Sequence, residues 1–183
     1  NKLEQVVYAI KPDFVIHCAS MINIEECETN SEKAYVNNTT VTENIARICN
    51  QAKLIYISTD QVYGNTKDKS EKNIDLKPVN HYGKTKYWGE RKVINNCTEY
   101  IIIRTNIFGC NLNPKRVGFA EWIYNSLTND ELITLFDDYY FTPIYTVTLG
   151  EIIMKLIDLK YNGILNIGSP IPCNKYTFGI KMA

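Results

Sequence analysis

No apolar run in this sequence is longer than a β-strand, and a bilayer span needs about 20 such residues. No charged-then-apolar leader opens the chain either, so a cytoplasmic protein with no membrane partner is expected. Net charge is also missing. Twenty basic residues face twenty acidic ones, with neither sign in a long block, which excludes a nucleic-acid surface or an anionic-membrane surface. The six cysteines (Cys18, Cys27, Cys49, Cys97, Cys110 and Cys173) form no C-x-x-C pair and have no histidine at metal-ligand spacing. Reduced, mostly packed thiols and no metal site follow. The nine glycines nowhere make the successive-glycine turn whose backbone N–H groups receive a pyrophosphate at a helix N-terminus. Repeats, linkers and low-complexity segments are absent as well.

What is present suffices for one domain with a real core: 183 residues, 45% of them hydrophobic. Residues 3–10 read as a short helix ended by Lys11-Pro12-Asp13. Phe14 to Ala19 is a continuous apolar run, the pattern of a strand buried on both faces of a parallel sheet. After a polar loop, Thr29-Asn30-Ser31-Glu32 reads as a capping box that opens a helix to about Gln51. Its predicted inward stripe is Ala34, Asn38, Val41, Ile45 and Ile48. Asn38 is the odd member, because a buried amide needs partners, and a structural clamp on neighbouring backbone is its expected role. Leu54–Ser58 is a second buried strand and Tyr100–Arg104 a third, with a helix over about 79–96 between them. Strands alternating with helices predict parallel βαβ crossovers and a ligand crevice beyond the strands' carboxyl ends. Ala19-Ser20, Ser58-Thr59-Asp60 and Thr105-Asn106 are predicted to meet there. Further on come a loop with Asn111, Asn113 and Pro114, a helix over 119–127, a short strand over 132–136, a helix over 149–159 and a strand over 164–167. This second half reads as a smaller cap, with Trp122 in its core and Tyr139-Tyr140-Phe141 as aromatic packing.

The chemistry centres on Tyr82 and Lys86. At helical spacing i and i+4 they share a face, and a cation beside a phenol lowers a pKa that is ordinarily about 10. Tyr63 and Lys67 have the same spacing, but the polar run 65–70 predicts a loop, so the geometry is lost there. Asp60 divides between a catalytic role and capping of the turn after its strand. His17, within a strand, reads as a satisfied core histidine.

With Ser58-Thr59-Asp60, Tyr82-x-x-x-Lys86 and Arg104-Thr105 in place, the chain resembles the extended short-chain dehydrogenase/reductase family, in its dTDP-4-dehydrorhamnose reductase-like, sugar-nucleotide-binding branch. Residues 12–20, Asn38, 56–64, 80–86 and 143–146 carry the similarity. It implies an α/β fold: a Rossmann-like doubly wound parallel sheet over residues 1–107, lacking its glycine-rich loop, and a smaller substrate-binding cap over 108–183, interleaved with that core and truncated. The implied activity is reduction of the C4 keto group of a nucleotide-linked 4-keto-6-deoxy sugar by NADPH or NADH. Tyr82 would donate the proton, Lys86 would lower its pKa and hold the nicotinamide ribose, and Thr59 would bind the carbonyl oxygen with Asp60 beside it. Ala19, Ser20, Met21 and Ser58 would line the cofactor, and Gln61 and Asn106 the substrate. A homodimer is compatible with this resemblance. Gln61 stands where nucleotide-sugar 4,6-dehydratases carry Glu, which disfavours dehydration. Two alternatives stay open: a bifunctional UDP-sugar 3,5-epimerase/4-reductase or other epimerase, which Asn106-Ile107-Phe108-Gly109 resembles, and a non-catalytic module like the methionine adenosyltransferase regulatory subunit. Position 1 is Asn rather than Met, and the family's phosphate loop has no counterpart, so the sequence reads as a fragment with weak affinity for dinucleotides.

Overall fold

The computed structural model describes residues 2–73, 76–113 and 116–183; Pro114, from the loop expected around it, lies outside them. The chain divides into two units, one of residues 1–104 with 161–166 and the other of residues 105–160 with 167–183.

In the first unit α1 (Lys2–Ile10) precedes β1 (Phe14–His17), and β1 pairs in parallel with β2 (Lys53–Thr59), Phe14 opposite Lys53 and His17 opposite Tyr56. β3 (Tyr100–Phe108) lies on the other side of β2, and β6 (Gly163–Ile167) pairs with β3. β2 matches its apolar run, with Leu54, Ile55 and Tyr56 buried. β1 does not. It stops at His17, and Phe14 and Ile16, which alternate onto one face of the strand, are exposed. Within the described residues the apolar run thus has one packed face, Val15 and His17, and one open face, Phe14 and Ile16.

The expected long helix is two pieces joined by a π-turn, and a further short helix precedes it in the stretch expected to be a polar loop. Ile24–Thr29 forms α2, capped by the Asn23 side chain accepting from Glu26 N at 2.8 Å. Thr29 thus sits inside a helix, donating its hydroxyl to the carbonyls of Glu25 and Glu26, and the predicted capping box does not form. α3 (Ser31–Tyr35) runs through a π-turn, Val36–Thr40, into α4 (Val41–Ile48). A π-turn inserts one extra residue, so the buried face steps by one: after Ala34 and Asn38 it continues through Thr42, Ala46 and Cys49 instead of Val41, Ile45 and Ile48. Next come β2 and a 3₁₀ turn, Asp60–Val62. α5 (His81–Asn96) follows, capped by Asn80, whose Oδ1 accepts from Gly83 N at 2.7 Å. Ala46, Leu54, Tyr56, Val93 and Ile102 form this unit's core.

Gly64 pins the loop between the 3₁₀ turn and α5. Its φ of +51° suits glycine, and a Cβ there would overlap the carbonyl of Lys77, with which it forms a parallel bridge. We expect Gly64→Ala to lower stability by roughly 1–3 kcal/mol, read as an earlier urea midpoint with an unchanged slope.

In the second unit the carboxyl-terminal part of β3 pairs in parallel with β5 (Pro143–Tyr145), Asn106 opposite Pro143. That pairing carries β3 on to Phe108, so Thr105 and Asn106 lie inside a strand and not at its end. α6 (Phe119–Thr128), β4 (Tyr140–Phe141), α7 (Thr146–Asp158), β7 (Cys173–Asn174) and α8 (Lys175–Met182) complete the unit, and β4 pairs antiparallel with β7. Ala120, Ile123, Phe141 and Phe178 form its core, and the Lys175 ammonium lies 3.6 Å from the Phe141 ring centroid. Two expectations fail here and a third holds in part. Residues 132–136 form no strand, with Leu132 fully exposed, and Trp122 is 40% exposed rather than core. Of the three aromatics at 139–141, Phe141 alone is buried.

All six cysteines are free, with Cys27, Cys49 and Cys97 buried. Among the described residues no helix is long and apolar enough to cross a membrane, and no group of three or more metal-ligating side chains gathers.

Candidate active site

The site grows from the carboxyl end of β2, where three successive residues are held by one face of α5. Ile57 O accepts from Lys86 Nζ at 2.7 Å, Ser58 Oγ donates to Glu90 Oε1 at 2.6 Å, and Thr59 shares a side-chain hydrogen bond with Tyr82. Tyr82, Lys86 and Glu90 follow one another at four-residue steps, which is why one helix face presents all three. Thr59 Oγ1 also lies 3.2 Å from Asp60 Oδ1, to which it donates, and 3.2 Å from the Gln61 amide, from which it accepts. Gln61 Oε1 accepts from Asn80 Nδ2 at 2.7 Å, tying the turn after β2 to the cap of α5.

Asn38 is the clamp its sequence position predicts. Its Oδ1 accepts from Ser20 Oγ at 2.9 Å and Met21 N at 2.7 Å, and its Nδ2 donates to Met21 O at 2.9 Å and Thr85 Oγ1 at 3.0 Å. The loop after β1 is thereby fastened to α5, three residues beyond Tyr82. The π-turn holding Asn38 sets its aim, and neighbouring Thr39 donates to Thr85 O at 2.9 Å. His17 is the satisfied core histidine expected: Thr42 Oγ1 donates to Asn38 O at 2.6 Å and so accepts from His17 Nε2 at 2.9 Å. Burial first, then the Lys86 charge, lowers the His17 pKa to about 4, leaving it neutral.

The electrostatics of the Tyr82–Lys86 pair differ from expectation. Burial pushes the Tyr82 phenol up to about 12; the bond to Thr59 opposes this, while Asp60 and Cys27 add to it. The Lys86 ammonium does not lower the phenol here, because it is turned to the Ile57 carbonyl and lies 4.1 Å over the Tyr56 ring. Burial brings Lys86 itself down to about 7, against the opposing pull of Glu90 and then Cys18. The folded value therefore lies below the unfolded 10.5, and the unfolded chain binds more protons between the two. Stability contributed by this group is present above about 10.5 and is lost as pH falls toward 7. Lys86→Met removes that dependence. Its stability advantage over the native chain should be largest near pH 7 and shrink steadily toward pH 10 in urea denaturation.

Of the residues singled out in the sequence, Ser20, Met21, Ser58, Thr59, Asp60, Gln61, Tyr82 and Lys86 are joined through these bonds in the first unit, with Ala19 exposed just before Ser20. The Ser58 hydroxyl is committed to Glu90. Asn106 belongs to the second unit, in the β3–β5 ladder. Sequence reasoning missed Glu90, Arg104 and the use of Tyr63. Arg104 donates from Nη2 to Glu90 Oε2 at 2.7 Å, from Nε to Glu90 Oε1 at 3.1 Å and from Nη1 to Tyr63 OH at 2.9 Å; Tyr63 OH donates to Asn166 Oδ1 at 2.9 Å. The i+4 step from Lys86 to Glu90 was the available signal.

A parallel α/β sheet with a tyrosine, a lysine and a threonine meeting at a strand's carboxyl end is the framework of the extended short-chain dehydrogenase/reductases. The family described as RmlD substrate binding domain matches residues 1–183, and the chain belongs to it. It is 28% identical over 175 residues to the probable low-salt glycan biosynthesis reductase Agl14 of Haloferax volcanii, covering 93% of this chain and 58% of that one. It is 32% identical over 107 residues to methionine adenosyltransferase 2 subunit beta of Xenopus laevis, covering 57% of this chain and 32% of that one. A crystal structure of dTDP-4-dehydrorhamnose reductase from Bacillus anthracis, in complex with NADP, superposes with a TM-score of 0.91 at 30% identity, over 99% of this chain and 64% of the other. The chain thus spans little more than half the length of the curated reductases it matches.

Proposed function

We propose that the chain is part of a reductase that uses NADPH or NADH to reduce the C4 keto group of a nucleotide-linked 4-keto-6-deoxy sugar. The observation that carries this reading is the phenol of Tyr82, bonded to Thr59 at the carboxyl end of β2, one helical turn before the buried Lys86. The reductase names of the Haloferax and Bacillus relatives, and the NADP in the latter's structure, support it.

The residues present fit the nicotinamide end of such a cofactor. Asn38 fixes the backbone of Met21 on one side, and Lys86 offers a buried ammonium with three donor hydrogens. Ala19, Ser20, Met21, Tyr82 and Lys86 would hold that end, with Ser58 contributing backbone because its hydroxyl is taken by Glu90. The bound nicotinamide supplies hydride. Tyr82 keeps its proton through the neutral range because burial holds its pKa near 12, so it stands ready as the donor to the carbonyl oxygen. Thr59 and Asp60 orient that phenol, and Gln61 lines the substrate's side. Asn106 is assigned to the substrate as well. In the second unit a cavity of about 550 Å³ brings Arg116, Tyr124 and Tyr145 together. A cation and aromatic faces are what a nucleoside diphosphate requires.

The test is nicotinamide absorbance with the full-length protein. It should fall when a nucleotide-linked 4-keto-6-deoxy sugar is added and stay flat without it. A second reading, a binding module of the kind named in the Xenopus relative, rests on the similarity over 107 residues; it predicts cofactor binding with no turnover of any such sugar.

A further inference from the structure

The face of α5 that carries Tyr82 and Lys86 continues to Glu90, a carboxylate buried to 1% exposure with no part in the chemistry described above. Its contacts are specific. It takes the Ser58 hydroxyl on Oε1 and a two-pronged grip from Arg104, itself 3% exposed. The neighbouring carbonyl, that of Ile57, holds the Lys86 ammonium. A single dipeptide of β2 is thus gripped by the cation of α5 at one residue and by its anion at the next.

We propose that Glu90 is a positioning residue for the Tyr82–Lys86 pair: its carboxylate keeps the buried Lys86 ammonium charged and locks Ser58, and Arg104 holds that carboxylate in place. The proposal rests on the reductase reading for what Lys86 does, but its physical content belongs to this chain alone.

The surroundings of Lys86 single out Glu90. From its own helix come Tyr82 and Glu90, from β2 the Tyr56 ring, and from β1 and the residue after it His17 and Cys18. The π-turn and α4 present the neutral Asn38, Thr39 and Thr42. α2 brings Cys27 between Glu26 and Glu28, and the 3₁₀ turn brings Asp60, all on the Tyr82 side. α3 contributes Glu32 and Lys33, both exposed, and Lys33 pairs with Glu26. On the far side of α5, Lys92 pairs with Glu43 of α4. Neutral His17 and the Cys18 thiol, whose pKa burial raises, leave Glu90 as the anion acting on Lys86. Two charges one helical turn apart, in a medium of effective dielectric about 20, interact strongly enough to move a titration by roughly one to two pH units.

The experiment follows the Lys86 side chain directly, by NMR titration of its Cε–Hε signal, assigned with Lys86→Met. In Glu90→Gln the Lys86 midpoint should fall by roughly one to two pH units from the native value. Arg104→Lys keeps both charges while loosening the grip, and should leave the midpoint near its native position. Because Glu90→Gln strands the Arg104 guanidinium, the neutral double variant Glu90→Gln/Arg104→Met is measured beside it; replacing a buried pair as a whole strands neither charge. The Lys86 midpoint should fall in this variant too, by less than in Glu90→Gln, because the guanidinium that partly offsets the carboxylate leaves with it. A midpoint unmoved in whichever of these variants folds would overturn the proposal. So would failure of both to fold, which would make Glu90 a residue of the fold alone. No substrate enters the titration, so absence of turnover in the full-length protein would count against the reductase reading and leave this result standing.

Discussion

Tyr82→Phe in the full-length protein is expected to lower turnover of a nucleotide-linked 4-keto-6-deoxy sugar by roughly 10²–10⁴-fold, the usual contribution of a positioned proton donor. It should leave the fold intact, because the phenol is joined to one hydroxyl at the edge of the core. Tyr63→Phe should do the reverse. Tyr63 OH accepts from Arg104 and donates to Asn166, so its removal leaves Nη1 of the buried Arg104 without that partner, a loss of about 1–3 kcal/mol. Turnover at a temperature where that variant is folded should stay within a few-fold of native. Absorbance assays paired with thermal denaturation separate the two outcomes. Equal losses of turnover in both folded variants would defeat the assignment of Tyr82.

The largest stability change is expected at Arg104. Arg104→Met leaves the Glu90 carboxylate buried with the Ser58 hydroxyl and without its counter-ion, and breaking a buried pair from one side lowers stability by about 3–5 kcal/mol. Adding Glu90→Gln should restore a substantial part of that loss, because the pair is then removed whole. Urea denaturation of the two single variants and the double variant gives the coupling as a thermodynamic cycle. Losses below about 1 kcal/mol in Arg104→Met would mean that the buried pair contributes little to the fold.

How far these features could be read from sequence depends on the length scale that sets them. The strand 54–58 and the helices over 119–127 and 149–159 were legible because apolar periodicity is local and the packing agrees with it. The Tyr82–Lys86 face was legible for the same reason, since helical spacing alone puts both on one side. The inward stripe beyond Asn38 was misplaced by one residue because the π-turn at Val36–Thr40 answers to tertiary bonds, those of Asn38 to Met21 and Thr85, which leave no mark in periodicity. β3 was cut short at Arg104 because its continuation depends on Pro143–Tyr145, some forty residues away. The Tyr82 pKa was expected to fall because Lys86 lies one turn away. It rises instead because burial outweighs a charge that is directed to a backbone carbonyl. Proximity along a helix specifies which groups can meet, and only the surrounding packing specifies how they are aimed. The Glu90–Arg104 pair joins a helix to a strand fourteen residues on, and no single-element pattern announces it.

The central claim, a reduction at C4 with Tyr82 as proton donor, is tested most directly by following label into the product. The full-length protein is given a nicotinamide cofactor deuterated at its reactive carbon and a nucleotide-linked 4-keto-6-deoxy sugar, and the sugar is analysed by NMR and mass spectrometry. One deuterium at C4 of the product, formed by the native protein and suppressed in Tyr82→Phe, is the predicted result. Product without deuterium at C4, or unchanged substrate recovered beside bound cofactor, would contradict it.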